Sequence, residues 1–307
     1  RAEALFNSHF PEQPEDAERA RKYLAYEELF ELILAAKLNK QENQRLRSIP
    51  LQFDANFTKS IVRNLPFHLT GAQRRATWEI LQDMGRSTPM NRLLQGDVGS
   101  GKTIVAALAA TEATKNGHQT ALLAPTAILA TQHFESLGKL FSGLRAHLVK
   151  IPRIALLTGA TRSKWQLKKA IQSGEIDFVV GTHALLTDDT NFHSLAFCII
   201  DEQHRFGVGQ RHKLLLKSPD NTAPHLLSMT ATPIPRSLQL TLFGDLDVSL
   251  LNELPPGRQP IETKILSETN QHDNLYPKMR ELLAKGQQIY WICQVIEEKN
   301  SNTATPV

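Results

Sequence analysis

At 307 residues the chain is long enough for about two domains. Its 41% hydrophobic and 21% charged residues exclude a disordered or fibrous protein, and a formal charge of +4 permits a polyanionic partner without demanding one. Cys198 and Cys293 lie far apart in apolar runs, which argues against structural disulfides and for a reducing cytoplasm, and no stretch approaches the roughly 18 apolar residues that span a bilayer.

The opening "RAEALFNSHFPEQ" has neither an initiator Met nor an apolar signal core, so the expectation is a piece of a longer protein. Residues 18–47 read as one helix: Leu24, Leu29, Phe30, Ile33, Leu34 and Leu38 recur at three-to-four spacing, a pattern expected to pack on a neighbour. A polar connector is expected up to about residue 64. From residue 65 the texture becomes alternating strands and helices. Short apolar runs at 91–96, 120–126, 153–159, 177–182, 197–202 and 225–232 read as strands buried on both faces, hence a mostly parallel, doubly wound α/β sheet. "NELPPGRQPIE" (252–262), with Pro255, Pro256, Gly257 and Pro260, reads as an interdomain linker. Beyond it a helix near 271–285 and a strand over 287–296 suggest the start of a second α/β unit.

Three stretches carry chemistry. "GDVGSGKT", residues 96–103, fits a phosphate-binding loop set between a strand and a helix. Gly96, Gly99 and Gly101 allow the tight turn that aims backbone N–H groups at a phosphate, with Asp97, Val98 and Ser100 completing the loop. Lys102 is placed to reach the outer phosphates and Thr103 to ligate Mg²⁺. "FCIIDEQHRFGVGQR", residues 197–211, ends an apolar strand in two carboxylates. Asp201, expected on a strand neighbouring the loop strand, would share the Mg²⁺ with Thr103, and Glu202 would orient and deprotonate an attacking water. "SMTATPIPR", residues 228–236, clusters Ser228, Thr230 and Thr232 at a third strand end, within reach of His204. Pro233 and Pro235 then hold the chain out of helix.

In order, "GDVGSGKT", "APTAILATQH", "GTHALL", "DEQHRFG" and "TATPIPR" resemble the first motor lobe of the superfamily-two DNA helicases and translocases, across about residues 65–296. Within that superfamily the chain resembles the branch-migrating helicases that remodel stalled forks. The transcription-repair coupling translocases share "HRFGV" and "TATPIPR", but that group has other residues where this chain has Ser100, Gln203 and Gly71-Ala72.

The resemblance implies a RecA-like P-loop fold, ATP and Mg²⁺ as cofactors, and branched DNA as partner. It also implies a bacterial cytoplasmic, nucleoid-associated setting. It makes 1–64 a helical linker from an upstream DNA-binding region, 65–253 the first motor lobe, and 254–307 a linker and truncated start of the second lobe. Phe67 and Gln73 would receive the adenine. Gln203 and His204 would join Lys102, Asp201 and Glu202 in the catalytic set. Pro125, Thr126 and Gln132, with Gly181, Thr182 and His183, would lie along the nucleic-acid backbone, gripping phosphates without reading bases. Ser228 and Thr230 would couple nucleotide state to DNA, and Arg205 and Arg236 would serve DNA or lobe-to-lobe coupling. Lys164, Lys168 and Lys169 read as a solvated helix face, with a DNA role left open. No residue matches the arginine finger of the second lobe, so weak hydrolysis by the isolated chain is expected. A transcription-repair type lobe, or a P-loop ATPase unrelated to DNA, is the alternative reading.

Overall fold

A computed structural model describes residues 1–145, 150–202, 217, 222–232, 246–253, 263, 265 and 271–292. The chain divides into two compact units, Arg1–Gly257 and Arg258–Val307.

The first unit begins with α1 (Ala2–His9) packed on α2 (Pro14–Arg45). The long helix starts four residues before the sequence pattern did. Pro14 suits a first helical turn because its missing N–H would have had no intrahelical partner, and Glu15 and Asp16 complement the positive helix end. Its apolar stripe does not pack as expected: Leu29, Phe30, Ile33, Leu34 and Leu38 are all exposed. The connector expected before residue 64 contains a further helix, α3 (Ala55–Arg63). The Asp54 carboxylate caps it, accepting from the amides of Asn56 and Phe57 at 2.8 and 3.0 Å.

Seven strands follow: β1 (Asn91–Gly96), β2 (Gln119–Leu123), β3 (Ile154–Leu157), β4 (Phe178–Gly181), β5 (Leu195–Asp201), β6 (His225–Thr230) and β7 (Asp247–Leu251). They form one sheet in the order β3-β4-β2-β5-β6-β1-β7, with every pair parallel. This is the parallel, doubly wound α/β sheet expected from the uninterrupted apolar runs, and it agrees with the RecA-like fold that the resemblance implied. Strand β7 was not foreseen; it sits at the sheet edge beside β1, and its half-exposed "DVSLL" lacks the continuous apolar signature of a central strand.

Helix α4 (Gly71–Met84) precedes β1, and among the described residues the α-helices between strands are α5 (Lys102–Lys115), α6 (Ala127–Leu144) and α7 (Lys164–Gln172). Helix α5 is buried from Ile104 through Thr114, as a helix apolar on all sides must be. It packs against α4, α6 and strands β1, β2 and β5, which anchors the loop that precedes it.

In the second unit α8 (Gln271–Ala284) forms where a helix was expected. The strand expected over 287–296 is absent from its described part, 287–292, where Trp291 instead stacks on Tyr276 with ring centroids 6.4 Å apart. An apolar run becomes a strand only when a partner takes up its backbone hydrogen bonds. Among the described residues no helix is long and apolar enough to cross a membrane.

Candidate nucleotide-binding site

The parallel sheet brings all strand carboxyl ends to one edge, where ligands of open α/β sheets sit. Strand β1 ends at Gly96, and six residues later Lys102 starts α5. Gly96 is buried so tightly that a Cβ there would fall 2.5 Å from Ser100 Oγ and 2.8 Å from Leu251 Cβ. Gly99 and Gly101 take φ of 79° and 88°, conformations that L-residues avoid. The Asp97 carboxylate accepts from the Val98 amide at 2.7 Å, while Val98 itself is exposed. Lys102 folds back over the loop, its ammonium donating to the carbonyls of Gly96 and Asp97 at 2.6 and 3.1 Å. Burial lowers its pKa, against the raising influence of the Asp201, Glu202 and Asp97 charges at the same sheet edge.

Asp201 and Glu202 close β5, but β5 does not neighbour β1 as the sequence reading supposed. Strand β6 lies between them. Its register sets Met229 beside Asp201 and Thr230 beside Gln95, so the hydroxyl cluster stands between phosphate loop and acidic pair. Parallel neighbours in a sheet need not be consecutive in sequence, and only the full strand order reveals the interposed one. Thr230 Oγ1 and Thr232 Oγ1 are 2.9 Å apart, and Ser228 Oγ is fully buried without a hydrogen-bond partner. Glu202 has a φ of 49°, the single positive value at a non-glycine among the described residues. Such strain persists where surrounding structure over-determines it and is concentrated at functional positions.

Both oxygens of Asp201 are engaged. Oδ1 accepts from the Glu202 amide at 3.1 Å, and Oδ2 is 2.7 Å from His133 Nε2 on α6. The sequence reading passed over His133, because no spacing rule links it to a carboxylate 68 residues away. Gln203, His204, Arg205 and Arg236 lie outside the described residues.

A cleft of about 700 Å³ opens beside the loop, lined by Phe67, His68, Gln73, Gly101, Thr103 and Lys139 among others. Phe67 is exposed there, as a ring free to stack would be. Gln73 is buried: its amide nitrogen donates to the Ser100 carbonyl at 2.8 Å and its oxygen accepts from the Thr70 amide at 2.9 Å. His68, Ser136 and Lys139 were missed as cleft residues; the last two come from α6, which only the packing brings here.

The proposed nucleic-acid positions occupy the same sheet edge. Pro125 and Thr126 follow β2, and the Thr126 hydroxyl caps α6 by accepting from the Leu129 amide at 3.2 Å. Gln132 is exposed one turn further on. Gly181 ends β4 with the Leu157 carbonyl where its Cβ would be, at 2.3 Å, and Thr182 leads into a short 3-10 turn, His183–Leu186, whose first residue is exposed.

The donor set fits Mg²⁺. That ion takes one or two protein oxygens and relies on phosphates and water for the rest. Thr103 and Asp201 are one hydroxyl and one carboxylate, and no group of three or more His, Cys, Asp or Glu among the described residues would hold a metal by itself. The buried, unpartnered Ser100 hydroxyl in the loop leaves a polar atom for a bound group to satisfy.

Residues 70–241, more than half of the chain, match the DEAD/DEAH box helicase family, and the chain belongs to it. Within that class, its resemblance over nearly its whole length is to RecG. The ATP-dependent DNA helicase RecG of Aquifex aeolicus is 46% identical over 279 residues, covering 90% of this chain and 34% of that protein. The RecG of Thermotoga maritima is 43% identical over 300 residues, covering 97% of this chain and 37% of that one. A solved structure of RecG bound to a three-way DNA junction superposes with a TM-score of 0.79 at 41% identity, over 92% of this chain and 37% of that one. These relatives agree with the branch-migrating group expected from Ser100, Gln203 and Gly71-Ala72. The chain thus spans about a third of the length of the relatives it matches. An RNA-bound structure of Mss116p, 18% identical with a TM-score of 0.53, shares the fold alone.

Proposed function

We propose that this chain is the nucleotide-binding motor lobe of an ATP-driven DNA helicase that remodels branched DNA in recombination and repair, working in the bacterial cytoplasm at the nucleoid. The observation that carries this reading is the convergence of Lys102, Asp201 and Glu202 at one sheet edge, with the Ser228–Thr232 segment between them.

In this reading the adenine enters the cleft against Phe67 and Gln73, and the triphosphate runs along the amides of residues 97–103. Lys102 exchanges its loop carbonyls for phosphate oxygens, which resemble them as acceptors but carry full charge. Thr103 and Asp201 would hold Mg²⁺, which when bound neutralises developing charge on the phosphates. Glu202 takes the proton of the attacking water. Gln203 and His204 complete the set from the adjoining segment. Pro125, Thr126, Gln132, Gly181, Thr182 and His183 would follow the DNA backbone, with Arg205 and Arg236 serving DNA or the second lobe. The domain reading is retained as part of the proposal: a linker over 1–64, the motor lobe over 65–253, and the entry to a second lobe over 254–307. A single lobe should hydrolyse ATP slowly, because an arginine finger from the opposing lobe is worth about 10³–10⁵ in rate in the GTPases where it has been quantified.

The test is ATP hydrolysis with and without three-way junction DNA, by this chain and by one as long as its relatives. Strong stimulation by the junction in the longer chain is expected. Hydrolysis indifferent to DNA in that chain would sink the helicase reading and favour a P-loop ATPase of another kind.

A further inference from the structure

The contact between His133 and Asp201 joins two sites that the proposed function treats separately. Helix α6 starts at its Thr126 cap among the residues assigned to the nucleic-acid backbone. Successive residues on a helix point about 100° apart, so the helix that leaves Gln132 exposed turns His133 inward. There His133 Nε2 meets Asp201 Oδ2 at 2.7 Å, with the two side chains only 14% and 11% exposed. An ionised carboxylate only accepts, so Nε2 carries the hydrogen and His133 donates. With the Glu202 amide on Oδ1, the Asp201 carboxylate is gripped from both sides: by its own chain and by α6.

We propose that His133 is a positioning residue for the reaction, orienting the Asp201 carboxylate toward the metal and tying that orientation to the seat of α6. The proposal rests on reading Asp201 as a metal ligand. A carboxylate has about four lone-pair directions. Two are used here by protein donors, which leaves defined directions for the ion or its waters and removes the free rotation of an exposed side chain. Outer partners of this kind typically change metal affinity by about 10–100-fold when removed. Because the donor stands on the helix that begins at Thr126, a shift of α6 on engaging DNA would reorient the same carboxylate. Neither glycines nor loop geometry provide such a link; it is one hydrogen bond between a helix and a strand end.

The experiment measures binding of a fluorescent ATP analogue to this chain as Mg²⁺ is titrated, and again in EDTA, with thermal melting as the folding control. His133→Ala is expected to raise the Mg²⁺ concentration for half-maximal binding by about 10-fold. Binding in EDTA and the melting temperature should stay near those of the parent. His133→Gln, whose amide can donate from a similar reach, should restore most of the Mg²⁺ response. Should the alanine variant fail to fold, His133→Phe keeps the ring volume without the donor and is read in the same way. Asp201→Asn, run in parallel, separates the two layers of the argument. If Asp201→Asn shifts the Mg²⁺ requirement and His133→Ala does not, the positioning role is overturned while the metal site stands. If Asp201→Asn changes nothing, the metal reading fails and the positioning role falls with it. Equal loss with and without Mg²⁺, or no rescue by Gln, would show that His133 serves only the fold.

Discussion

The Gln73 side chain and the Ser100 carbonyl are joined by a 2.8 Å hydrogen bond that fastens α4 to the phosphate loop. The other end of the same amide accepts from Thr70, and the Thr70 hydroxyl accepts in return from the Gln73 amide, a reciprocal helix cap. Loop, helix start and cleft wall are therefore one connected piece. On the proposed function, nucleotide entering the cleft would meet Gln73 already held, and a contact with that side chain would be felt at Ser100.

Gly101 stands against this piece. A Cβ there would lie 2.3 Å from Gln73 Nε2, on a backbone with φ of 88°. Gly101→Ala should therefore destabilise the chain by about 1–3 kcal/mol in urea denaturation, from the left-handed strain and the displaced amide together. It should also weaken nucleotide binding. Adding Gln73→Ala relieves the collision but not the strain, so the double variant should recover less than half of the lost stability.

Lys102 and Glu202 should separate binding from chemistry. Lys102→Ala removes the ammonium proposed to bind the phosphates and should weaken ATP binding, measured by titration, without lowering the melting temperature. Glu202→Gln should leave binding nearly unchanged and reduce hydrolysis by about 10²-fold or more, the usual worth of a general base. Glu202→Gly should reduce hydrolysis at least as far, yet stabilise the fold by about 1 kcal/mol, because a glycine accepts the φ of 49° without strain.

His225 predicts how stability depends on pH. It is fully buried in β6, with Nδ1 accepting from the Met90 amide at 3.0 Å and Nε2 donating to the Ile49 carbonyl at 2.9 Å. Burial pushes its pKa from 6.5 down to about 4, and a second ring proton would also confront the Met90 N–H. The unfolded chain takes up that proton near pH 6.5 and the folded chain only near 4. Stability from this group is thus complete above pH 6.5 and is lost as pH falls toward 4, by an amount on the order of 3 kcal/mol. Urea melts across that window should show the decline, and His225→Gln should flatten it.

Arg92 binds the edge strand to the fold. From β1 it donates to Asp83 at 2.6 and 3.0 Å, to Glu79 at 3.2 Å and to Ser249 of β7 at 2.9 Å, with 11% of its side chain exposed. Arg92→Ala leaves the buried Asp83 with only the exposed Arg86 guanidinium, 3.0 Å from its other oxygen, and frees Glu79 and Ser249, and should cost about 1–3 kcal/mol. Arg92→Lys should recover only part, since an ammonium cannot reproduce the forked contact with Asp83. Denaturation midpoints of the two variants decide this.

Much of this protein was legible in its residues taken in order. Unbroken apolar runs such as "FCIIDE" and "ALLAPT" announced strands buried on both faces, and "GDVGSGKT" between a strand and a helix announced the phosphate loop, because short-range sterics and burial set both features. The exposed stripe of α2 and the absent strand at 287–292 show the limit of that logic. Apolar spacing records what a segment is able to bury, whereas a partner must be present for it to do so. Helix α3 was signalled by Asp54 ahead of Phe57 and Ile61, a cap and a stripe too short to stand out in a polar stretch.

What the sequence determined by itself was most of the inventory: six of the seven strands, the glycine-rich loop between β1 and α5, and the two carboxylates at the end of β5. The tertiary structure decided their adjacency. Strand order is set by how whole faces pack and by which crossovers the sheet allows, so the interposition of β6 between Lys102 and Asp201 has no local signature. Nor has the 2.7 Å contact of His133 with Asp201, or the arrival of Ser136 and Lys139 in the cleft. Each depends on where α6 settles against the sheet, and that is a balance of many buried contacts, which no stretch of chain contains alone.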